Sequence, residues 1–312
     1  MLTIQLTGCD GSVCQLPTLI QWEFSLTGGV PCDSMTAVCL YDDGMAQVLP
    51  KATRFLALQD GKTVLRGVVD AYEISLSERG LLVTVEGRGM AALLLDNESE
   101  AVSYERADLD TILRNHVAPY GIRTERRQAV YGDGYVVSAG SSQWRAVRDF
   151  THRRGGFEPC FTREGVLVAA PLWGSGRTIQ VGDSTPMLSF SKREQRYGVI
   201  SEVLIQDKAQ GVSHLVTNDA FLAAGGCRRQ VIYMPRSTAD SRRYTGEYQI
   251  AQSALEQLVL TLELPLAFAA FPGDRVSLRL QRLGLSGTYD VTEVRCRMDG
   301  SGERTILSLG ER

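Results

Sequence analysis

Histidine is scarce in this chain. Only His116, His152 and His214 occur among 312 residues, and no His/Cys set has metal-ligand spacing. The seven cysteines (Cys9, Cys14, Cys32, Cys39, Cys160, Cys227 and Cys296) are odd in number and contain no C-x-x-C pair, which removes the zinc-knuckle and redox-dithiol readings. They read as free thiols in a reducing compartment, and no cofactor or metal is expected. An excess of one charge is also missing: 33 Lys and Arg against 36 Asp and Glu leave a formal charge of -3. A domain that grips a nucleic-acid backbone usually carries a net basic face. No run approaches the roughly eighteen apolar residues of a membrane helix, since the stretch from Leu255 to Phe271 is broken by Glu256, Glu263 and Pro265. The start, Met1-Leu2-Thr3-Ile4-Gln5-Leu6, lacks the basic and apolar regions of a signal peptide, so folding in the bacterial or host cytoplasm is expected.

Catalytic signatures are equally thin. Gly87-Arg88-Gly89 lacks the G-x-G-x-x-G spacing and the strand-to-helix context of a dinucleotide loop, and no G-x-S-x-G elbow is present. His152-Arg153-Arg154 falls at the C-terminal end of a helix, where cations complement the dipole. Arg126-Arg127 and Arg242-Arg243 read as solvated loop or interface charges. Asp42-Asp43 suits a turn, and Asp108 with Asp110 suits a helix start. Trp22, Trp144 and Trp173 read as core or packing residues. A carbohydrate-binding face would instead expose aromatics together.

What is abundant is strand. Leu19 to Leu26, Ala37 to Tyr41, Arg54 to Leu58, Val64 to Val69, Tyr72 to Leu76 and Leu81 to Val85 carry β-branched, aromatic or alternating residues between Gly- and Asp-rich turns, the texture of a barrel or sandwich. From Met90 it changes. Met90 to Leu95 predicts a short helix, Asp108 caps a second with Leu109, Ile112 and Leu113 in one stripe, and Ser141 or Ser142 caps a third ended by Gly155-Gly156. From Met187 strands return, interrupted by a polar stretch from Gln206 to Arg243 that reads as a long loop, then an amphipathic helix through Tyr248, Ala251, Leu255 and Leu258. Residues 53–80 laid over 273–300 match at Leu58/Leu278, Leu65/Leu285, Gly67/Gly287, Asp70/Asp290, Glu73/Glu293 and Gly80/Gly300. The strand–turn–strand order agrees as well, which suggests one β unit present twice.

The run Leu65-Arg66-Gly67-Val68-Val69-Asp70, and then Val85-Glu86-Gly87-Arg88 leading into Leu94-Leu95-Asp96, resembles phage baseplate hub proteins of the Mu-like, PBSX-like and late-control-D type. Ser141 to Phe150 with Gly155-Gly156-Phe157 looks like that family's small α/β domain, and Pro272 to Val276 with Leu285 to Val291 is similar to its second barrel. The resemblance implies an α+β, mainly β chain: a tail-tube-like barrel at 1–97, an α/β domain at 98–182, and a second barrel at 183–312 with a long insertion near 206–258. It implies a non-enzymatic homotrimer forming a pseudo-six-fold ring in the virion tail. Expected partners are the tail tube or distal tail protein, the spike and the tape-measure protein, with DNA only as passing cargo and no membrane insertion. Lysozyme and spike functions are expected on other chains. Asp70, Glu73, Asp290 and Glu293 are the candidate interface or lumen residues. The competing reading is a tail-associated cell-wall hydrolase or peptidase subunit, which needs a cleft gathering carboxylates or His152.

Overall fold

Alternation dictates the first strands. In β1 (Leu2–Gly8) Leu2, Ile4 and Leu6 are buried, while Thr3, Gln5 and Thr7 lie on the other face, the two-residue period of a half-buried strand. Then come β2 (Val13–Gln15), β3 (Leu19–Thr27), β4 (Ser34–Leu40), β5 (Ala52–Gln59), the long β6 (Lys62–Ser77) and β7 (Gly80–Gly89). They are hydrogen-bonded in the order β3-β4-β7-β6-β5-β1-β2. The β5–β6 hairpin turns on Asp60 and Gly61, both at positive φ (51° and 76°), as an Asp-Gly turn requires. This computed structural model describes residues 1–28, 33–78, 80–125, 128–170, 176–255 and 257–310. The readings placed on Gly29, Cys32, Arg79, Arg126, Arg127, Trp173, Glu256 and Arg312 lie outside the described residues.

The middle of the chain holds α1 (Ala92–Leu95), β8 (Glu98–Ser99), β9 (Val102–Asp108), α2 (Leu109–His116), β10 (Thr124–Glu125), β11 (Tyr131–Val137), β12 (Ser141–Ser142), α3 (Gln143–Gly155), β13 (Cys160–Phe161) and β14 (Leu167–Val168). Both expected caps form: the Asp108 carboxylate accepts from Thr111 N–H at 2.7 Å, and the Ser142 hydroxyl accepts from Arg145 N–H at 3.2 Å. Gly156 ends α3 at φ 71°, the left-handed turn a glycine permits. Ile112, Val147, Phe150 and Leu167 make a core of their own.

The last third begins with β15 (Thr178–Gly182) and β16 (Ser189–Glu194). The stretch read as a long loop is a folded unit instead: β17 (Glu202–Asp207), β18 (Val212–Thr217), α4 (Asp219–Ala223), β19 (Arg229–Tyr233) and α5 (Ala239–Leu255). Its strands run β18-β17-β19 over a small core of Ile200, Val203 and Ile205, with Val216, Ile232 and Ile250 packed against it. β18 and β19 are exposed at alternate positions, where Leu215, Val231 and Tyr233 face outward. Arg242, read as solvated, is buried and donates to the Ser237 carbonyl at 2.7 Å, whereas Arg243 is solvent-facing beside Asp240 and Glu247. Leu258 is not in the helix but opens β20 (Leu258–Leu264), followed by β21 (Arg275–Leu280), β22 (Leu285–Asp299) and β23 (Gly302–Gly310).

The chain is mainly β, 50% strand and 20% helix, as expected. The expected closed barrels are not found among the described residues. The first and last strand sets join in one thirteen-stranded sheet, because β3 pairs antiparallel with β22 from Thr27/Glu293 to Trp22/Met298. The order β16-β20-β23-β22-β21 nevertheless repeats β3-β4-β7-β6-β5, all antiparallel, and in the same chain order once the β17–α5 unit is set aside.

The hairpins agree residue by residue. Ser77 faces Gly80 and Asp299 faces Gly302, Val69 faces Gly87 and Val291 faces Leu309, and each long strand bulges once against its hairpin partner, at Asp70 and at Thr292. A shift of 222 residues (77 to 299, 80 to 302) carries one onto the other. The six identities at a shift of 220 are therefore two residues out of register. The counterparts of Asp70 and Glu73 are Thr292 and Arg295, and those of Asp290 and Glu293 are Val68 and Ala71. A slip of two keeps every side chain on its own face, which is why the strand pattern still agreed.

Candidate functional site

The first candidate surface follows from a difference between the two long strands. β5 covers one edge of β6 only as far as Val68, so from Val69 onward that edge has no strand beside it among the described residues. The matching overhang of β22 is covered by β3. Apolar residues occupy the same positions in both, with different fates. Val294 and Cys296 are fully buried, whereas Tyr72, Ile74 and Leu76 are 41%, 45% and 80% exposed. An uncovered apolar strand edge is a pairing site in waiting.

The candidate residues fall into different settings. Asp70, in the β6 bulge, receives two 2.8 Å hydrogen bonds from Arg88 of β7, and the same guanidinium reaches Asp96 at 2.7 and 3.1 Å. Arg88 thereby holds Asp96 below the usual carboxylate range and ties the end of α1 to the sheet. The close strand crossing beneath it needs glycine. A Cβ on Gly67 would sit 1.9 Å from the Arg88 carbonyl, and one on Gly87 would sit 2.7 Å from the buried Phe55 ring. The Gly87-Arg88 … Asp96 pattern is thus a structural clamp, which sequence alone did not reveal. Asp290 sits beside Arg275 at 3.4 Å, and Glu293 lies at the β3–β22 seam, 3.9 Å from Arg295. Glu73 stands on the uncovered β6 overhang, exposed. The four are therefore not one cluster.

Among the described residues, His152 and the groove carboxylates do not share one cleft. His152 is buried between α3 and α5, its ring 4.2 Å from that of Tyr248 and its Nδ1 3.9 Å from Glu158. Burial and the neighbouring Arg148 push its pKa down to about 4, while burial raises that of Glu158. An open groove of about 710 Å3 carries two carboxylates, Asp60 and Asp274. Asp60 pairs with the terminal amine, and Asp274 accepts from Phe271 N–H at 3.0 Å and from Arg177 at 3.1 Å. Trp22 and Trp144 are buried in separate cores.

No protein-family model and no curated protein sequence matches the chain. Its fold is that of phage tail proteins. It is similar to the tail protein of Neisseria meningitidis MC58 (TM-score 0.78, 16% identity, 99% of this chain and 96% of that one). It is also similar to the 43 kDa tail protein of prophage MuSo2 from Shewanella oneidensis (TM-score 0.75, 17% identity, 99% and 97%). A component of the E. coli type VI secretion system, itself similar in structure to two bacteriophage T4 tail proteins, shares the fold more loosely (TM-score 0.57, 11% identity, 94% and 73%).

Proposed function

We propose that the chain is a structural, non-enzymatic hub of a phage or phage-like baseplate, assembled in the bacterial cytoplasm as a homotrimer and carried in the virion tail. The observation that supports this most directly is the five-stranded unit present twice in one register. Two equivalent units in each of three subunits present six similar faces, matching a hexameric tube on one side, while the three-fold arrangement of whole subunits matches a trimeric spike on the other. On this reading each unit is a separate tube-like domain, at 1–97 and 183–312, and closure of the sheet is completed only in the ring. The segment at 98–182 is the inserted α/β domain. The tail tube or distal tail protein binds above and the spike below, with tape-measure protein and DNA passing through the lumen. Mass photometry and averaged electron micrographs are expected to give a trimer of six lobes around a channel. A chain that stays monomeric at every concentration, with and without tube protein, would end this reading. A peptidoglycan zymogram is expected to stay unlysed.

A further inference from the structure

The β3–β22 pairing inside the chain is a template for a contact the single chain cannot make. β3 lies at the outer edge of the first five-stranded unit and covers the β22 overhang of the second. β16, at the same place in the second unit, is an edge strand with β20 alone beside it among the described residues, and all but one of its six residues are exposed. The first unit's overhang, residues 71–76 of β6, also has a free edge among the described residues. A donor edge and an acceptor edge are each present once, unfilled, at opposite ends of the duplicated pair.

Resting on the ring reading above, we infer that β16 of one copy pairs antiparallel with the β6 overhang of the next, in a register the chain itself specifies. Trp22 faces Ala37 and Phe190 faces Leu262, and Ala37 and Leu262 face Val85 and Leu307, which the 222-residue shift equates. Phe190 is therefore the counterpart of Trp22, and Gln195 that of Thr27. Transferring the β3–β22 register places Leu76 opposite Phe190, Ser75 opposite Ser191, Ile74 opposite Lys192, Glu73 opposite Arg193, Tyr72 opposite Glu194 and Ala71 opposite Gln195. The chemistry fits this partner. Leu76, 80% exposed in the single chain, meets the half-buried Phe190 ring. Ile74 meets the aliphatic stem of Lys192, and the Tyr72 hydroxyl meets a carboxylate. On the other face the exposed acid Glu73 meets an exposed Arg193. Such a contact is heterologous: repeated with one rotation, it makes a ring in which neither of these two edges is left open.

Disulfide trapping in the full-length chain tests the register. The S75C/S191C variant under mild oxidation is expected to give ladders of linked chains whose top species is a closed ring, with the 75–191 link mapped between copies by mass spectrometry. S75C/S189C, two residues out of register, and the single variants are expected to link poorly. Glu73→Arg and Arg193→Glu are each expected to weaken self-association on the order of tenfold, and the double exchange to restore it, with melting curves confirming that all fold. Oligomers that form without the 75–191 link, or a double exchange that fails to restore assembly, would overturn the register while leaving the ring reading in place. A wild-type chain that never associates, trapped or free, would overturn both.

Discussion

Trp22 and Phe268 stack with ring centroids 5.4 Å apart and planes 9° from parallel, and Phe24 meets the same Phe268 ring edge-on at 5.4 Å. Trp22 and Phe24 belong to β3, while Phe268 lies between β20 and β21. The aromatic trio therefore packs across the seam where the two strand sets share a sheet. Hydrogen bonds along β3 and β22 set the register of that seam, and the three rings are buried in the core the two sets share.

Replacing Phe268 by alanine is expected to cost about 3 kcal/mol of stability, the usual loss for a buried phenylalanine. Because the contacts to Trp22 and Phe24 lie at the seam, the β1–β7 and β16–β23 strand sets should also begin to unfold separately. Urea unfolding followed by tryptophan fluorescence and by far-ultraviolet dichroism checks both points. A single transition at the wild-type midpoint would show that the seam does not depend on the stack.

Gly67→Ala is expected to destabilise more than its one added methyl suggests. The new Cβ would meet the Arg88 carbonyl at 1.9 Å and the Phe55 ring at 2.7 Å, and backbone cannot yield as a flexible side chain can. A loss on the order of 3 kcal/mol is expected from overpacking. Thermal melts of Gly67→Ala beside Gly61→Ala, whose Cβ would meet no neighbouring atom, separate crowding from backbone strain. Gly61→Ala carries only the strain of a positive φ.

Much of this was legible in the sequence, and the failures have physical causes. Asp108, Ser142 and Gly156 announced the ends of α2 and α3, because caps are made by the residues at the boundary itself. The repeat was visible, yet its register was not. Side-chain identity at exposed strand positions is weakly constrained, and within the matched hairpins only Val69/Val291 and Gly80/Gly302 are identical at the true shift. Register is written in the ladder and in the bulges at Asp70 and Thr292, which no residue type marks. The β17–α5 unit was missed because its sheet buries little, and the overhang of β6 is recognisable only once β22 shows what covers its counterpart.

Arg88→Lys is expected to lose most of what the clamp provides, although the charge is kept. Lysine is a point donor and cannot hold Asp70 and Asp96 in two planar, two-bonded contacts at once. The three groups are partly exposed, so the global cost should stay near 1 kcal/mol. The informative measurement is amide exchange. Protection in residues 92–97 is expected to fall severalfold, while that of β6 and β7 holds. Equal losses in both would mean that the clamp supports the sheet, not the helix.

The acid limb of stability should be governed by His152. Its ordinary pKa is 6.5, and in the fold it is pushed to about 4 by burial and by Arg148. Between those values the unfolded chain binds a proton that the native chain refuses, so stability is full above pH 6.5 and falls as the pH drops toward 4. A shift of that size corresponds to roughly 3 kcal/mol. His116, also lowered by burial while held between Gln143 at 2.7 Å and Tyr104 at 3.0 Å, pulls in the same direction. Glu158, raised by burial, and Asp33, raised by burial to about 6, bind their protons more readily in the native chain, so they offset part of the loss and soften the limb. Urea midpoints measured from pH 7 to pH 4.5 should therefore decline, and His152→Gln should flatten most of the decline. If the slope were unchanged in that variant, the acid sensitivity would belong to other groups, with His116→Gln the next to measure.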